Sequence, residues 1–425
     1  MERERLHACL LLIAVKPEGT LPMEHRKKVK AIKGVTVSVL AVCIASLTVF
    51  SLNADRAAKR SAPTERNYAF LKARVERITY DDTGSLKTDP ELREAKQEFA
   101  VTILDSPFKG EKYDMRNTVE SVDVHRMLVS EGDVILVNYT VDQAGKPNTL
   151  HLYEIVRDRW LYALTVFFAI SLIVVCGRQG LKAVISLAFT GLMVVKVLIP
   201  IILAGYPSIP ATLIVLSVTA ASCLCLLTGL GRKTVAAAVG TVGGLLITAL
   251  LSLAAGTACK VTGLANTDAQ MVAFTGKGLS LDYRAILFSA IIVGALGAAM
   301  DVAVSIASAL TEIIEMKPDI GPREIFRSGM RIGKDIMATM ASTLILAYLG
   351  GSFSLFLLFF VEAAAFGEII NLEIVTTDII TALAGSIGVV WTVPITVIAV
   401  ALTRRPARAY PSLGRDGSHE NIGRV

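Results

Sequence analysis

Apolar residues in this chain come in blocks. Residues 35–52, 160–176, 181–203, 209–228, 234–256, 284–310, 336–361 and 376–402 are each almost wholly hydrophobic. About 20 such residues form a helix long enough to cross the roughly 30 Å hydrocarbon core of a bilayer. The pattern therefore predicts eight membrane spans. Residues 53–157 follow a different rule: after the charged linker ADRAAKRSAPTER, β-type segments occupy 68–80, 98–104, 113–122, 133–141 and 150–156. The breakers between them are Ser106-Pro107, Gly110, Glu131-Gly132-Asp133 and Gly145-Lys146-Pro147, as expected of short strands joined by turns. Five such strands predict a small β-barrel-like domain, OB-like in size and strand count. Within it, LVSEGDVILV (128–137) reads as a tight turn feeding a core strand. The expected fold is mostly α: a polytopic membrane helix bundle of about eight spans, with a small extracytoplasmic β domain inserted after the first span.

Charge sets the orientation. Arg178 and Lys182 share one connection, Arg232 and Lys233 another, Arg323, Arg327, Arg331 and Lys334 a third, and Arg404, Arg405 and Arg408 follow the last block. The alternate connections are the uncharged AGYPSIPA, a mixed 257–283 stretch, and an acidic 362–378 stretch with Glu362, Glu368, Glu373 and Asp378. All the basic connections fall on the side of the basic stretch Arg26–Lys33, so the positive-inside rule predicts both termini in the cytoplasm and the β domain outside. Residues 1–22 hold only a short apolar run, whereas Met23 opens a basic stretch leading into the first block, which makes Met23 the expected start of translation. That first block is longer than a usual signal-peptide core and has no A-x-A cleavage site after it, so it reads as an uncleaved anchor. The domain expectation is a cytoplasmic segment 1–34, a span 35–52, the β domain 53–157, seven spans over 158–403 and a disordered cytoplasmic tail 404–425.

One block carries a charge where lipid would oppose it. In AIIVGALGAAMDVAVSIASALTEIIE (290–315), a helical projection puts Ala290, Gly294, Ala298, Asp301, Ser305, Ser308, Glu312 and Glu315 within an arc of about 100°. Small residues let helices approach closely in lipid, so this face is expected to point into a bundle. A carboxylate at the bilayer centre costs roughly 2.5–3.5 kcal/mol on insertion scales, and an intramembrane ionisable residue marks a candidate functional site. Asp335, Thr339 and Ser342 repeat at helical spacing on a second block. Lys196 is an electrostatic candidate for pairing with Asp301, but the two differ in depth by on the order of 15–20 Å in a roughly 30 Å core. Lys334 or Arg331 is the better-placed partner. The candidate polar seam is Asp301, Ser305, Ser308, Glu312, Lys334, Asp335, Thr339 and Ser342. Arg323, Arg327 and Arg331 form a basic stripe on a helix begun by Pro322, expected to lie on the cytoplasmic surface. For Asp301 two readings stay open: a helix–helix hydrogen bond with Ser or Thr, or an ion- or proton-coupled step in a water-accessible path.

The stretches GALGAAMDVAVSIASAL (294–310), SGMRIGKDIMATM (328–340), TLILAYLG (343–350) and SPFKGE (106–111) resemble the YibE/F-like family of bacterial membrane proteins, in the same order and from about residue 67 to 402. Where the family has GTMxNTLILAY, this chain has Ala338 and Ser342, so neither Gly nor Asn is essential to that helix contact. The resemblance implies a multi-pass protein of a bacterial cell membrane. It implies no activity.

Composition narrows the classes. Charged residues make up 19% of the 425 residues and hydrophobic ones 53%, against about 25% charged in an ordinary soluble domain. None of the six cysteines lies in 53–157, and the five histidines have no ligand spacing, so neither a disulfide framework nor a metal site is expected. There is no P-loop, nucleophile elbow or HExxH pattern, and no basic–aromatic stretch for nucleic acid. The expectation is a non-enzymatic permease or channel-like protein for an ion or small solute, without a cofactor, in contact with the lipid bilayer. The alternative is a membrane subunit that docks an envelope protein partner through the β domain, and a homo-oligomer is compatible with either.

Overall fold

The computed structural model describes residues 69–84, 94–120, 127–141, 147–276, 281–363 and 365–403. The expected start at Met23, the 35–52 span and the 404–425 tail lie outside the described residues. The described residues divide into two compact units, one up to residue 181 and the other from residue 182 onward.

In the first unit, β1 (Ala69–Asp81), β2 (Glu94–Ile103), β3 (Lys112–Glu120), β4 (Val134–Val141) and β5 (Pro147–Ile155) each overlap a stretch that the alternation marks. They form one antiparallel sheet in the order β3-β2-β1-β4-β5. The sheet curls so that β3 and β5 approach each other. Alternation decides the inner face: Leu71, Ala73 and Val75 of β1, Phe99, Val101 and Ile103 of β2, and Ile135 and Val137 of β4 are buried together, as the period of two along a strand requires. One polar side chain joins them. Gln97, 1% exposed, donates to the Val129 carbonyl (2.9 Å) and accepts from the Val129 amide (3.0 Å). That clamp holds the 128–133 turn against the sheet, with Gly132 at φ +90°. On the outer face, the Lys112 ammonium lies 2.7 Å from Glu76 and holds that carboxyl below the usual glutamate range.

The helices are α1 (Asp158–Met193), which runs through a π turn at Val194–Leu198 into α2 (Ile199–Leu203), then α3 (Ser208–Thr228), α4 (Arg232–Ala258) and α5 (Thr267–Thr275). After them come α6 (Tyr283–Met316), α7 (Pro322–Gly351), α8 (Phe353–Val361), α9 (Phe366–Ile369) and α10 (Glu373–Thr403). Among the described residues six helical segments are long and apolar enough to cross a membrane: 158–203, 208–228, 232–258, 283–316, 322–351 and 373–403. The first is 46 residues long, about twice what a crossing needs. It is broken at Gly177, whose φ of 56° and ψ of −130° are not helical. The expected count of eight included 35–52 and treated 160–176 and 181–203 as separate spans; Gly177 sits between those two blocks.

One boundary moved. Pro322 does begin a helix, but no break separates the basic stretch from the span expected at 336–361: α7 is continuous from Pro322 to Gly351. Gly329 and Gly333 are the reason. A Cβ at Gly333 would collide with Val393 of α10 and lie 3.4 Å from Ile306 of α6, and one at Gly329 would lie 2.7 Å from Val397 and 3.0 Å from Leu310. These two glycines seat the basic half of α7 against the bundle, with Ile325 buried beside them, instead of leaving it a separate surface helix.

The bundle core gathers around α10, which packs most extensively on α4 and also against α6 and α7. Its centre contains Leu245, Ile292, Leu296, Ile306, Leu310, Val389, Val393 and Val397.

Candidate functional site

Helix α6 has two unlike faces, and the structure settles which one the bundle takes. Ile291, Ile292, Ala295, Leu296, Val302, Ala303, Ile306 and Leu310 are buried. Ala290, Gly294, Gly297, Asp301, Ser305, Glu312 and Glu315 are exposed, and Ser308 is half-buried. The small, polar face expected to point into the helix bundle is therefore open in the isolated chain, because the bulkier aliphatic face offers more area for packing. In water such a face needs no explanation. In a helix that crosses a bilayer, an uncovered carboxylate is costly unless water or protein meets it.

Helix α7 borders that face. Tyr348 places its hydroxyl at Gly294, where a Cβ would lie 2.8 Å from it. Together with the contacts Ile306–Gly333 and Leu310–Gly329, this makes α6 and α7 antiparallel and fixes their levels. Asp301 is level with Ala338 and Thr339, Ser305 with Lys334 and Asp335, Ser308 with Arg331, and Glu312 with Arg327. The two candidate stripes thus run side by side at matching heights. On α7, Arg323, Arg327, Arg331, Lys334, Asp335, Thr339 and Ser342 are all exposed.

Level is not contact. Among the described residues the side chains of Asp301, Glu312, Lys334, Asp335, Arg323, Arg327 and Arg331 make no hydrogen bond or ion pair; the ion pair at the α6–α7 turn joins Lys317 to Glu324 at 3.3 Å. The expected pairing of Asp301 with Lys334 or Arg331 is not made. Lys334 lies about one helical turn from the Asp301 level and Arg331 about two, or roughly 6 and 10 Å along the axis at 1.5 Å per residue. The hydroxyls satisfy themselves locally. Ser308 donates to the Val304 carbonyl (2.6 Å), Thr339 to that of Asp335 (3.1 Å) and Ser342 to that of Ala338 (2.9 Å). An ionised carboxylate has no proton to give these carbonyls and needs a donor from elsewhere.

Two features escaped the sequence reading. Tyr348 lies in the quoted TLILAYLG stretch, yet only the packing reveals that its hydroxyl meets Gly294. Asp378 stood out only as one more acid in a charged connection. It sits inside α10, and accepts a 2.5 Å hydrogen bond from the Ser352 hydroxyl. Two further hydroxyls of α10, on Thr377 and Ser386, are buried without a partner among the described residues. Nothing in a linear pattern marks them, since Thr and Ser usually bond back to their own helix. No group of three or more metal-ligating side chains occurs among the described residues.

No curated protein and no solved structure matches this chain. The family model described as YibE/F-like protein matches residues 164–406. That match takes in every crossing helix from within α1 onward, including both stripes, and leaves out the β domain that the resemblance seemed to reach from residue 67. On more than half its length, then, the chain is a member of the YibE/F-like family.

Proposed function

We propose that this protein is a permease or channel-like transporter of an ion or small solute, with its path along the open face of α6 at Asp301. One observation carries the reading: a carboxylate without a partner, midway along a crossing helix, on the face that the bundle leaves uncovered. Insertion scales put the cost of such a group at roughly 2.5–3.5 kcal/mol if lipid covers it. A water-lined path, or a path shared with a second copy of the chain, removes that cost. The exposed Asp335, Thr339 and Ser342 of α7 supply a second polar wall at the same levels. In this reading Arg323, Arg327 and Arg331 gather at the cytoplasmic end, both termini are cytoplasmic and the β domain lies outside a bacterial cell membrane. Reconstituted in liposomes, the full chain should carry a flux that Asp301→Asn abolishes. Flux at the wild-type rate in that variant sinks the proposal, as does the absence of flux across a panel of ions and small solutes.

A second reading has its own observation. The curled five-stranded sheet has the proportions of a partly open, OB-like barrel, a shape that binds oligonucleotides and oligosaccharides on one sheet face. It exposes Tyr80 and Tyr153 at 52% and 51%, the latter stacked edge-on to Phe70 with centroids 4.7 Å apart. Exposed aromatics of this kind are enriched at protein interfaces. A photo-crosslinker at Tyr153 should then capture an envelope protein in cells, and failure to capture any removes the basis for this reading.

A further inference from the structure

Helix α7 ends at Gly350–Gly351 and is followed by α8, nine residues with the sequence FSLFLLFFV. Nine residues rise about 13.5 Å, less than half of a bilayer core, so α8 cannot cross. The chain reverses at Ala363, in the left-handed region at φ +50°, and passes through α9 into α10. The reversal leaves a cavity of about 330 Å³ between α7, α8, α9 and α10. Its walls are almost wholly apolar, with Leu349, Phe356, Phe366, Ile370, Ile379 and Leu383 among them. Outside the cavity, Phe353, Leu357, Phe360 and Val361 of α8 are exposed, an apolar surface that belongs among acyl chains.

One charged residue lines this cavity, Asp378. It is half-buried, and one of its oxygens accepts the Ser352 hydroxyl at 2.5 Å. An ionised carboxylate has room for about four hydrogen bonds, so most of its capacity is left over. The cationic residues of α7 all precede Asp335, at the end away from this cavity: from Asp335 to Thr403 the chain has Glu362, Glu368, Glu373 and Asp378 but not one Lys, Arg or His. Nearby, Glu373 is occupied by the amide and hydroxyl of Thr262 at 2.6 and 2.7 Å, and Arg284 donates to the Val261 carbonyl at 2.8 Å. An apolar cavity of this size, with a single convergent acceptor group, is the form a small-molecule site takes.

We propose that this cavity binds an ammonium-bearing amphiphile, with its hydrocarbon chain along the α8–α10 walls and its ammonium on Asp378 beside Ser352. An anionic head would be repelled by Asp378. A hydrocarbon without a head would leave the carboxylate unpaired in an apolar setting, which is expensive. The amphiphile could be an aminophospholipid of the membrane or a free long-chain amine, since the two share the group that matters. Tyr348 lines this cavity and also reaches Gly294 on the Asp301 face, but ammonium binding at Asp378 does not depend on transport.

The test uses the full chain in phosphatidylcholine nanodiscs, whose head group has no N–H to donate. Three diazirine probes are added in turn: an acyl-labelled phosphatidylethanolamine, a long-chain primary amine and a fatty acid. The expected result is labelling of residues 345–383 by one or both ammonium probes and about tenfold less by the fatty acid, the ratio of one charge-assisted hydrogen bond. Labelling by phosphatidylethanolamine identifies a membrane lipid as the source; labelling by the amine alone identifies a free amphiphile. Asp378→Asn should lower labelling about tenfold without changing the melting curve, and Asp301→Asn should leave it unchanged. Ala382→Phe, which fills the cavity and spares the carboxylate, should abolish it and keeps the test decisive if Asp378→Asn misfolds. Equal labelling by the fatty acid, or labelling that survives Ala382→Phe, overturns the proposal.

Discussion

Between α4 and α10, threonines lie directly over glycines: Thr396 at Gly240, Thr392 at Gly244 and Thr248 at Gly388, each so close that a Cβ on the glycine would collide with the hydroxyl. Along α6, residues of the same small and polar kind, Gly294, Gly297, Asp301 and Ser305, face outward with nothing packed on most of them. The difference lies in what each polar group can do for itself. Thr248, Thr392 and Thr396 donate to carbonyls of their own helix at 3.1, 3.0 and 2.7 Å. They enter the α4–α10 seam already satisfied and behave there as compact packing units. A carboxylate has no proton to give its helix when ionised, so Asp301 cannot be tucked away in the same manner. Hydroxyl and glycine together build a seam that closes; add one carboxylate and the face is left for something else to cover.

The sharpest way to break this contrast is to add bulk where the seam is closed. Gly244→Val places its side chain against the Thr392 hydroxyl and 2.9 Å from the Gly388 carbonyl, a backbone group that cannot step aside. Overpacking of this sort costs typically 1–3 kcal/mol, and the rigid neighbour argues for about 3 kcal/mol. The check is denaturation of purified protein in mixed micelles, where the variant should melt well below the wild type or fail to accumulate. Wild-type stability would show that α4 and α10 are held apart by something other than these glycines.

Gly333→Ala probes the border between the two regions, since α7 touches both. Its Cβ meets the end of the Val393 side chain and lies 3.4 Å from Ile306. A side-chain end can rotate where a carbonyl cannot, so the expected loss is about 1–2 kcal/mol, read by the same denaturation. The loss should come with greater protease access to α7, because this glycine seats the helix.

How much of this was legible beforehand divides along the same line. Strand alternation, the Pro322 helix start and both polar stripes follow from residue types and periods; the strands overlap the stretches those periods mark, whereas the span expected at 336–361 is a helix over 322–351 followed by a short one over 353–361. The stripe on α6 was also readable, but not the direction it faces: an amphipathic projection says that two faces differ, and only the competition between Ile306, Leu310 and their neighbours and the small residues decides which the bundle takes. The continuity of α7 was hidden because the basic run looked like a membrane-surface segment; Ile325, Gly329 and Gly333 do recur at i, i+4 spacing, the pattern of a close-packing helix face, but the charges around them mask it. Asp378 and Ser352 stand 26 positions apart, a pairing that no local pattern encodes.

Removing a hydroxyl from the closed seam should matter much less than adding bulk. Thr392→Val keeps the shape against Gly244 and loses the bond to the Gly388 carbonyl. Side-chain hydrogen bonds between polar groups in membrane bundles average about 0.6 kcal/mol, and this carbonyl keeps its place in the helix ladder. Denaturation should show a loss of about that size. A loss near that of Gly244→Val would mean that the hydroxyl, and not the fit, holds the pair.

The smallest effect on folding is expected on the open face, and it carries the most information. Ser305→Leu adds a large side chain one turn from Asp301, at a position exposed in the isolated chain. Exposed substitutions usually change stability by no more than about 0.5 kcal/mol, so the melting curve of solubilised monomer should barely move. Transport is a different matter. If the face lines a path, leucine narrows it and makes it less polar, and the flux that Asp301 supports should fall although the protein folds as before. If the face instead packs against a second copy, the same variant should weaken the oligomer seen on size-exclusion chromatography, since small residues are what let helices approach there. A large loss of stability in the monomer would show that α6 is covered on this side within one chain, and the distinction between a closed seam and an open one would no longer describe this bundle.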